Sequence, residues 1–235
     1  MALLFEISVP SVAIRNRPER FPVNRIYCVG RNYAAHAREM GSNPERESPF
    51  FFSKPANAVA ENNIVMPYPS RTADLHHEVE LVVALAGEPL SAKGENLSLA
   101  EAATAIFGYT VGIDFTRRDL QAEAKDKARP WDTAKGFDNS APMSALTPVA
   151  EAGDIGEAQI TLKVNGVQRQ HGAINDLIWS IPELIAELST FYKLQPGDLI
   201  FTGTPAGVAA VVTGDVLVGE VDNLEALSIS IGPRA

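Results

Sequence analysis

The chain has 235 residues, of which 46% are hydrophobic and 21% are charged, a composition typical of a globular protein with a sizeable core. Its net charge of −9 and its scattered basic residues argue against a nucleic-acid-binding surface and against a polybasic membrane patch. The single cysteine, Cys28, excludes an intramolecular disulfide, and no uncharged apolar run approaches the roughly 20 residues of a membrane span, so a cytoplasmic protein is expected.

The N-terminal residues 1–24 alternate apolar and polar positions before they break into "RNRPERFPVN". This pattern predicts a short strand or hairpin and a connector, followed by one main domain at residues 25–235. Strand and turn signals then continue along the chain, without the regular alternation of strands and helices that marks Rossmann folds and TIM barrels. The predicted fold class is therefore α+β, with strands dominant.

Three helices are predicted from capping residues and apolar periodicity. The first lies in "RNYAAHAREM". Ser98 and Glu101 form a capping box before "AATAIF", with Gly108 as the expected stop signal. Ser180 and Glu183 form a second capping box at the start of "SIPELIAELSTFYKL". The residues expected to pack the last helix against the core are Leu184, Ile185, Leu188 and Phe191.

Most other segments have the composition of β-strands. In "ITLKVNGVQRQ", Asn165 and Gly166 separate two alternating runs, and this residue pair tolerates the positive φ angles of a tight hairpin turn. The runs "GDLIFTGTP", "DVLVGEV" and "ALSISI" predict further strands separated by turn residues. The C-terminal part of the chain is therefore expected to be mainly β.

The stretch "HHEVELVV" carries two acids in an otherwise apolar strand. Glu78 and Glu80 alternate with Val79 and Leu81, so both carboxylates point to the same face of an extended strand. One interpretation is an edge strand whose glutamates face water. The other is a pair of oxygen ligands for Mg²⁺, Mn²⁺ or Ca²⁺, because a bound dication removes the repulsion that otherwise raises the pKa of one carboxylate.

Asp114 is a candidate for a third ligand, because the strand-like run "FGYTVGID" ends at this acid, although a turn or helix-capping acid has the same pattern. Arg118 and Gln121 follow three residues apart, which places them on one face of a helix. Lys135 in "RPWDTAKGFDNSAP" is either a solvated loop residue or a cation that holds an anionic substrate beside a metal.

Two further segments carry polar groups that suit catalysis. His36 and Glu39 in "GRNYAAHAREM" are spaced so that, on a helix, the carboxylate orients the imidazole to take a proton from water. A surface ion pair has the same spacing. The segment "IFTGTPAGV" lacks the lysine of a phosphate-binding loop, which leaves a carboxylate-binding turn as an interpretation.

Together these segments resemble the fumarylacetoacetate hydrolase family. The matching pieces are "GRNYAAHAREM", "FFSKPANAV", "HHEVELVV", "GYTVGIDFTRRDLQ", "RPWDTAKGFDNSAP", "VNGVQRQ" and "LIFTGTPAGV", spread from about residue 26 to residue 225. The stretch "DFTRRDLQ…RPWDTAKGFD" is most similar to the fumarylpyruvate hydrolase and acylpyruvase branch. The resemblance implies a β-rich roll or sandwich with peripheral helices, usually assembled as a homodimer.

The resemblance also implies roles for individual residues. Glu78, Glu80 and Asp114 fall on positions that hold Mg²⁺ or Mn²⁺. His36 and Glu39 match a His–Glu pair on a short helix over the substrate. The positions that match substrate contacts are Arg31, Lys54, Arg118, Gln121, Lys135 and Thr204, and Lys135 is also expected to act in catalysis.

The implied activity is metal-dependent hydrolysis of a C–C bond in a 2,4-diketo acid such as fumarylpyruvate, which releases pyruvate through an enolate. Decarboxylation of oxaloacetate, or isomerisation and decarboxylation of hydroxylated dienoic diacids, is the alternative, and a non-catalytic binding protein is a further one. The chain departs from many relatives at Ala209, where glycine is frequent. If that backbone required a positive φ, the alanine would reshape the pocket edge and put the role of Thr204 in doubt.

Overall fold

The computed structural model describes residues 4–35 and 47–234, and within them strands outnumber helices. The strands are β1 (Ser11–Ala13), β2 (Arg20–Pro22), β3 (Arg25–Gly30), β4 (Phe50–Lys54), β5 (Val59–Ala60), β6 (Ile64–Tyr68), β7 (Leu75–His77), β8 (Val79–Leu85), β9 (Ile106–Ile113), β10 (Thr116–Arg117), β11 (Ala141–Pro142), β12 (Thr147–Pro148), β13 (Gln159–Val164), β14 (Val167–Ala173), β15 (Asp198–Phe201), β16 (Ala209–Val211), β17 (Val216–Val221) and β18 (Leu227–Arg234). The helices are α1 (Glu88–Ala92), α2 (Leu99–Thr104), α3 (Arg118–Asp126), α4 (Asp132–Lys135), α5 (Val149–Ala152) and α6 (Ile181–Phe191). Short 3₁₀ turns occur at Ala56–Ala58, Ile155–Glu157 and Ile174–Asp176.

Two large mixed sheets form the body of the protein. One has six strands in the order β12-β9-β8-β15-β3-β4, and the other has five in the order β14-β13-β17-β18-β6. The sheets face each other where Gly219 of β17 lies against Val79 of β8 and Val111 of β9. A small sheet, β10-β7-β16, lies at the N-terminal end of β8, because β7 ends just before β8 begins. The predicted strand-dominated α+β class is confirmed.

Strand β8 is buried on both faces, so Glu80 lies in an apolar environment. Leu81 and Val83 belong to the apolar core that includes residues of the five-stranded sheet. Val82 points to the opposite face, into a second apolar cluster with Cys28 and Phe201. In sheet order β8 lies between β9 and β15, so the edge-strand interpretation of "HHEVELVV" is wrong.

The N-terminal hairpin is present as predicted. Strands β1 and β2 pair antiparallel, with Val12 opposite Phe21. Both side chains are buried in the second apolar cluster, beside Cys28 and Phe201. The hairpin therefore packs on the six-stranded sheet, while the division of the chain between residues 24 and 25 stays a prediction.

Helix α2 begins at the predicted capping box, where the backbone N–H of Ser98 donates to Glu101 Oε2 at 2.7 Å. It ends at Thr104, so the predicted stop at Gly108 is wrong. Gly108 lies inside β9, opposite Pro148 of β12. A Cβ there would overlap the carbonyl oxygen of Thr147, so this glycine permits close strand approach instead of ending a helix.

Helix α6 also begins at its predicted capping box, with the backbone N–H of Ser180 donating to Glu183 Oε2 at 2.9 Å. Three residues of the predicted apolar stripe are buried: Leu184, Ile185 and Leu188. Phe191 is 64% exposed, so its predicted place in the core is wrong, because it is the last residue of the helix and its ring lies at the surface against Phe51. None of the described helices has the length and apolar character to span a membrane.

The hairpin between β13 and β14 turns as predicted, with φ of 52° at Asn165 and 77° at Gly166. The predicted strands in "GDLIFTGTP", "DVLVGEV" and "ALSISI" correspond to β15, β17 and β18. The predicted helix in "RNYAAHAREM" spans residues 31–40, of which 36–40 lie outside the described residues.

Candidate metal and substrate site

Three carboxylates meet where β8 and β9 pair. Glu78 directly precedes β8, Glu80 lies within it, and Asp114 directly follows β9. The backbone N–H of Asp114 donates to the carbonyl of Glu78 at 2.8 Å, which continues the ladder of the two strands. One oxygen from each carboxylate lies within 4.8 Å of the others, and all three side chains are buried. The structure thus brings together the three residues that the sequence proposed as ligands.

The surroundings of Glu80 disfavour its charged form. Burial, together with the nearby charges of Asp114 and Glu78, raises the pKa of Glu80 well above its ordinary value. The backbone N–H of Gly203 donates to Glu80 Oε2 at 2.7 Å and opposes this shift only in part. Clustered carboxylates are hard oxygen donors that fit a divalent cation such as Mg²⁺ or Mn²⁺.

Lys135 ends helix α4 and is 2% exposed, so its interpretation as a solvated loop residue is wrong. Its ammonium donates to Glu78 Oε2 at 2.8 Å and to Asp114 Oδ2 at 2.6 Å. Burial lowers the pKa of Lys135, but the charges of Asp114 and Glu78 more than offset that effect, so the pKa is raised and the side chain is a cation at neutral pH.

Lys54 contacts the same cluster through Asp114, away from the pocket. Its Nζ lies 2.8 Å from Asp114 Oδ1 and 3.2 Å from the carbonyl oxygen of Phe115, and it also donates to the carbonyl of Lys135. Lys54 is 2% exposed and is not among the residues that line the pocket described below. It holds Asp114 and the end of α4 in place, and its predicted contact with substrate stays a prediction.

Arg118 and Gln121 lie on one face of helix α3, as their spacing predicted. Arg118 Nη1 donates to Gln121 Oε1 at 2.6 Å, and Nη2 donates to Glu78 Oε1. Arg118 Nε lies 3.4 Å from His76 Nδ1. Burial and the charge of Arg118 lower the pKa of His76, which favours the neutral ring that can accept this contact. Arg118 is therefore bound into the wall of the site.

A buried glutamine that the sequence pattern does not single out connects the two large sheets beside the carboxylates. Gln170 of β14 accepts a hydrogen bond from the backbone N–H of Val79 at 3.1 Å, and the same oxygen lies 2.8 Å from His77 Nδ1. Its amide nitrogen donates to Thr204 Oγ1 and to the carbonyl of Pro205, both at 2.8 Å. Gln170 occurs in the "VNGVQRQ" motif, but nothing in the local pattern tells it from Gln168.

Thr204 lies beside the carboxylates, and its hydroxyl donates to the carbonyl of Val79 at 2.7 Å. Ala209 does not disturb this region. It pairs with His77 as the first residue of β16, and the positive φ angles of its loop belong to Gly203 at 105° and Gly207 at 97°. Ala209 has no positive φ, so it gives no structural reason to doubt the predicted role of Thr204.

Glu78, Glu80, Lys135 and Thr204 line one pocket together with residues of β3, β4 and α3. Six of its lining residues were not proposed from the sequence: Val29, Gly30, Phe50, Phe52, Lys125 and Trp131. Lys125 is seven residues after Arg118 and four after Gln121, and this helical spacing is the signal that would have found it. The complete lining is Val29, Gly30, Arg31, Phe50, Phe52, Glu78, Glu80, Arg118, Gln121, Lys125, Trp131, Lys135 and Thr204.

Two predicted site residues, His36 and Glu39, lie outside the described residues, and their pairing stays a prediction. Arg31 lies in the pocket wall in a left-handed conformation, with φ of 60°. The adjacent Asn32 is buried and holds this backbone, since its side chain donates to the carbonyl of Thr202 at 2.9 Å and accepts from the N–H of Trp179 at 2.8 Å.

Comparison with known proteins places this site in a family. Residues 25–232 match the model of the fumarylacetoacetate (FAA) hydrolase C-terminal domain. The chain belongs to the fumarylacetoacetate hydrolase family, as the sequence motifs predicted.

Two curated relatives of similar identity carry different activities. The chain is 43% identical over 187 residues to a fumarylpyruvate hydrolase from Ralstonia sp.. The matched residues cover 80% of this chain and 94% of the relative. It is 42% identical over 203 residues to the oxaloacetate tautomerase YcgM of Escherichia coli (strain K12), covering 86% of this chain and 90% of the relative.

A solved structure shows the same architecture. The crystal structure of fumarylpyruvate hydrolase from Pseudomonas aeruginosa in complex with Mn²⁺ and pyruvate superposes with a TM-score of 0.94 at 46% identity, covering 99% of this chain and 100% of that one. Together with the buried acidic cluster, this similarity identifies a divalent metal as the cofactor, and Glu78, Glu80 and Asp114 are compatible with holding it.

Proposed function

We propose that the protein is a metal-dependent hydrolase that cleaves the C–C bond of a 2,4-diketo acid and releases pyruvate and a carboxylic acid. The observation that carries the proposal is the cluster of three buried carboxylates in contact with the buried ammonium of Lys135, with Glu78, Glu80 and Lys135 in the wall of one pocket. The similarity to fumarylpyruvate hydrolases supports this reaction over others available to an acidic metal site.

The α-keto oxygen and the carboxylate of such a substrate form a natural chelating pair. With a divalent cation bound, Glu78, Glu80 and Asp114 would place a Lewis acid at these oxygens, where it offsets negative charge that develops in the reaction. Gln121 and Thr204 line the same pocket and would orient this end of the substrate.

In the proposed reaction, one water molecule is consumed. His36, oriented by Glu39, takes a proton from that water, and the hydroxide oxygen bonds to the carbonyl carbon of the acyl group. The C–C bond between this carbon and the methylene of the pyruvate part then breaks, and its electron pair remains on the pyruvate enolate. Protonation of the enolate carbon gives pyruvate, and the acyl part leaves as a carboxylic acid.

The enolate is the species that most needs stabilisation, and Lys135 is suited to provide it. Its pKa is raised by Asp114 and Glu78 despite its burial, so it carries a positive charge inside a site shielded from water. One well-placed donor of this kind lowers a barrier by roughly 3–4 kcal/mol. Lys135 is held by two hydrogen bonds before substrate binds, which reduces the cost of orienting it during the reaction.

Oxaloacetate tautomerisation is a second candidate, which the 42% identity to the Escherichia coli tautomerase favours. Keto–enol exchange passes through an enolate that the same carboxylates, cation and lysine would stabilise. It needs no attacking water, and neither does decarboxylation of oxaloacetate. The three reactions therefore share one charge arrangement and differ in the need for a base that activates water.

One experiment separates these reactions. The purified protein with Mn²⁺ is incubated with fumarylpyruvate, acetylpyruvate and oxaloacetate, while pyruvate, CO₂ and the enol of oxaloacetate are followed. Hydrolysis predicts pyruvate from a diketo acid, with no activity in Glu80→Gln and full activity in the control Glu220→Gln, whose carboxylate lies at the surface of β17 beside Lys163. Enol exchange without pyruvate release would refute the hydrolase proposal in favour of the tautomerase.

The assembly and location expected from the sequence are part of the same proposal. Members of the family are usually homodimers, and a cytoplasmic location fits a chain with a single cysteine. Light scattering on the purified protein measures the assembly directly, and a monomer at micromolar concentration would refute the dimer.

A further inference from the structure

The positive side chains of the pocket fall into two groups. Arg118 and Lys135 are engaged by the acidic cluster, through Glu78 and Asp114. Arg31 and Lys125 also line the pocket, but among residues 4–35 and 47–234 neither has a carboxylate partner. The first pair neutralises the metal site, while the second pair presents positive charge to whatever enters the pocket.

Lys125 is held at the pocket by an aromatic side chain. Its ammonium lies 5.2 Å from the centre of the Trp131 ring. Partial burial, and then the positive charges of Arg118 and Arg31, lower the pKa of Lys125. A cation in an environment that already contains other cations is destabilised there, and an anionic group bound between them would relieve that repulsion.

Arg31 approaches the same pocket from β3. Its guanidinium lies 5.8 Å from the centre of the Phe50 ring. The left-handed backbone at Arg31 is maintained by the buried side chain of Asn32, so the direction of the arginine is set by a constrained segment. Strained backbone that is held by its surroundings is a feature of ligand sites.

An aromatic wall joins the two cations to the metal site. The Trp131 ring packs edge-on against Phe50 at 5.5 Å and against Phe52 at 5.8 Å between ring centres. The ammonium of Lys135, at the metal site, lies 5.0 Å from the Phe52 ring. The wall therefore runs from the acidic cluster to Arg31 and Lys125, and it offers a flat apolar surface to a planar, unsaturated chain.

We infer that Arg31 and Lys125 bind a second carboxylate on the acyl part of the substrate, and so select a diketo diacid over a diketo acid with a neutral acyl group. The inference rests on the proposed function and makes it more specific. The α-keto acid end would lie at Glu78, Glu80 and Asp114, the unsaturated chain along Trp131, and the far carboxylate between the two cations. Arg118 is not assigned to the far carboxylate because its guanidinium lies against Glu78, at the metal end of the pocket.

The test compares Lys125→Met and Arg31→Gln with the wild type on fumarylpyruvate and acetylpyruvate. Methionine keeps the packing on Trp131, and glutamine keeps the same backbone cost at a left-handed position. Because each variant loses a hydrogen bond between charged groups, kcat/KM for fumarylpyruvate should fall roughly 10- to 100-fold in each variant, mainly through KM. With acetylpyruvate, kcat/KM should change less than about threefold.

Lys127→Met is the matched control, because Lys127 immediately follows α3 and is paired with Glu123 at 2.6 Å outside the pocket. Equal losses on both substrates, or no loss on fumarylpyruvate, would overturn the inference. If the wild type cleaves neither substrate, the proposed function fails, and calorimetric binding of fumarylpyruvate and acetylpyruvate to the Mn²⁺-loaded protein decides the inference separately. Its expected result is then a selective loss of fumarylpyruvate affinity in both variants, and unchanged affinity would overturn it.

Discussion

Replacing Gln170 by methionine tests whether the contact between the two sheets positions the metal ligands. Methionine keeps the length of the side chain and loses all of its polar contacts. Those contacts reach Val79, between the ligands Glu78 and Glu80, and Thr204 in the facing loop. The substitution therefore removes a connection to the ligand strand without touching a proposed ligand.

The size of the effect follows from the groups left unpaired. The backbone N–H of Val79 and Nδ1 of His77 both lose the oxygen of Gln170 in a buried environment. Each unsatisfied buried group costs about 1–3 kcal/mol, so the free energy of unfolding should fall by roughly 2–6 kcal/mol. Loss of a group that orients metal ligands typically weakens metal affinity about 10- to 100-fold, and we expect a loss of that order for Mn²⁺.

The measurement combines denaturant unfolding of the metal-free protein with calorimetric titration of Mn²⁺. Gln168→Met is the control, because Gln168 lies on the same strand with its side chain exposed. Wild-type stability and wild-type Mn²⁺ affinity in Gln170→Met would refute the argument. A loss of stability with unchanged Mn²⁺ affinity would show that Gln170 supports the fold alone.

Three further predictions concern the charged groups of the site. The raised pKa of Glu80 makes its charged form costly in the metal-free protein, and this cost grows as the pH rises above the unfolded pKa. Glu80→Gln should therefore raise the melting temperature of the metal-free protein at pH 8, give no such increase at acidic pH, and remove the stabilisation by Mn²⁺. A lower melting temperature of the metal-free variant at pH 8 would contradict this electrostatic argument. Lys135→Met should lower kcat by about 10²–10³-fold with Mn²⁺ still bound, and a change confined to KM would contradict a role in stabilising the enolate. His36→Ala should nearly abolish hydrolysis of diketo acids while Mn²⁺ affinity stays unchanged; undiminished turnover would remove His36 from water activation.

Local sequence patterns predicted several elements correctly because the determining interactions are themselves local. The capping boxes at Ser98 and Ser180 join residues three positions apart, and the turn at Asn165 and Gly166 depends on the φ preferences of two adjacent residues. Gly108 was assigned wrongly for the opposite reason. Its conformation depends on strand β12, about 40 residues further along the chain, which approaches too closely for any side chain.

The residue types of the site can be read from the sequence: hard oxygen ligands in a strand, a lysine in a polar loop and an Arg–Gln pair at helical spacing. The burial of Glu80 cannot, because it depends on β8 having neighbours on both sides in the folded sheet. The fold also sets which cations are engaged by the carboxylates and which face the pocket, since a charge acts over a few ångströms in space whatever the separation in sequence. Arg31 and Lys125 are 94 positions apart in the chain, and only the fold places them in the wall of one pocket.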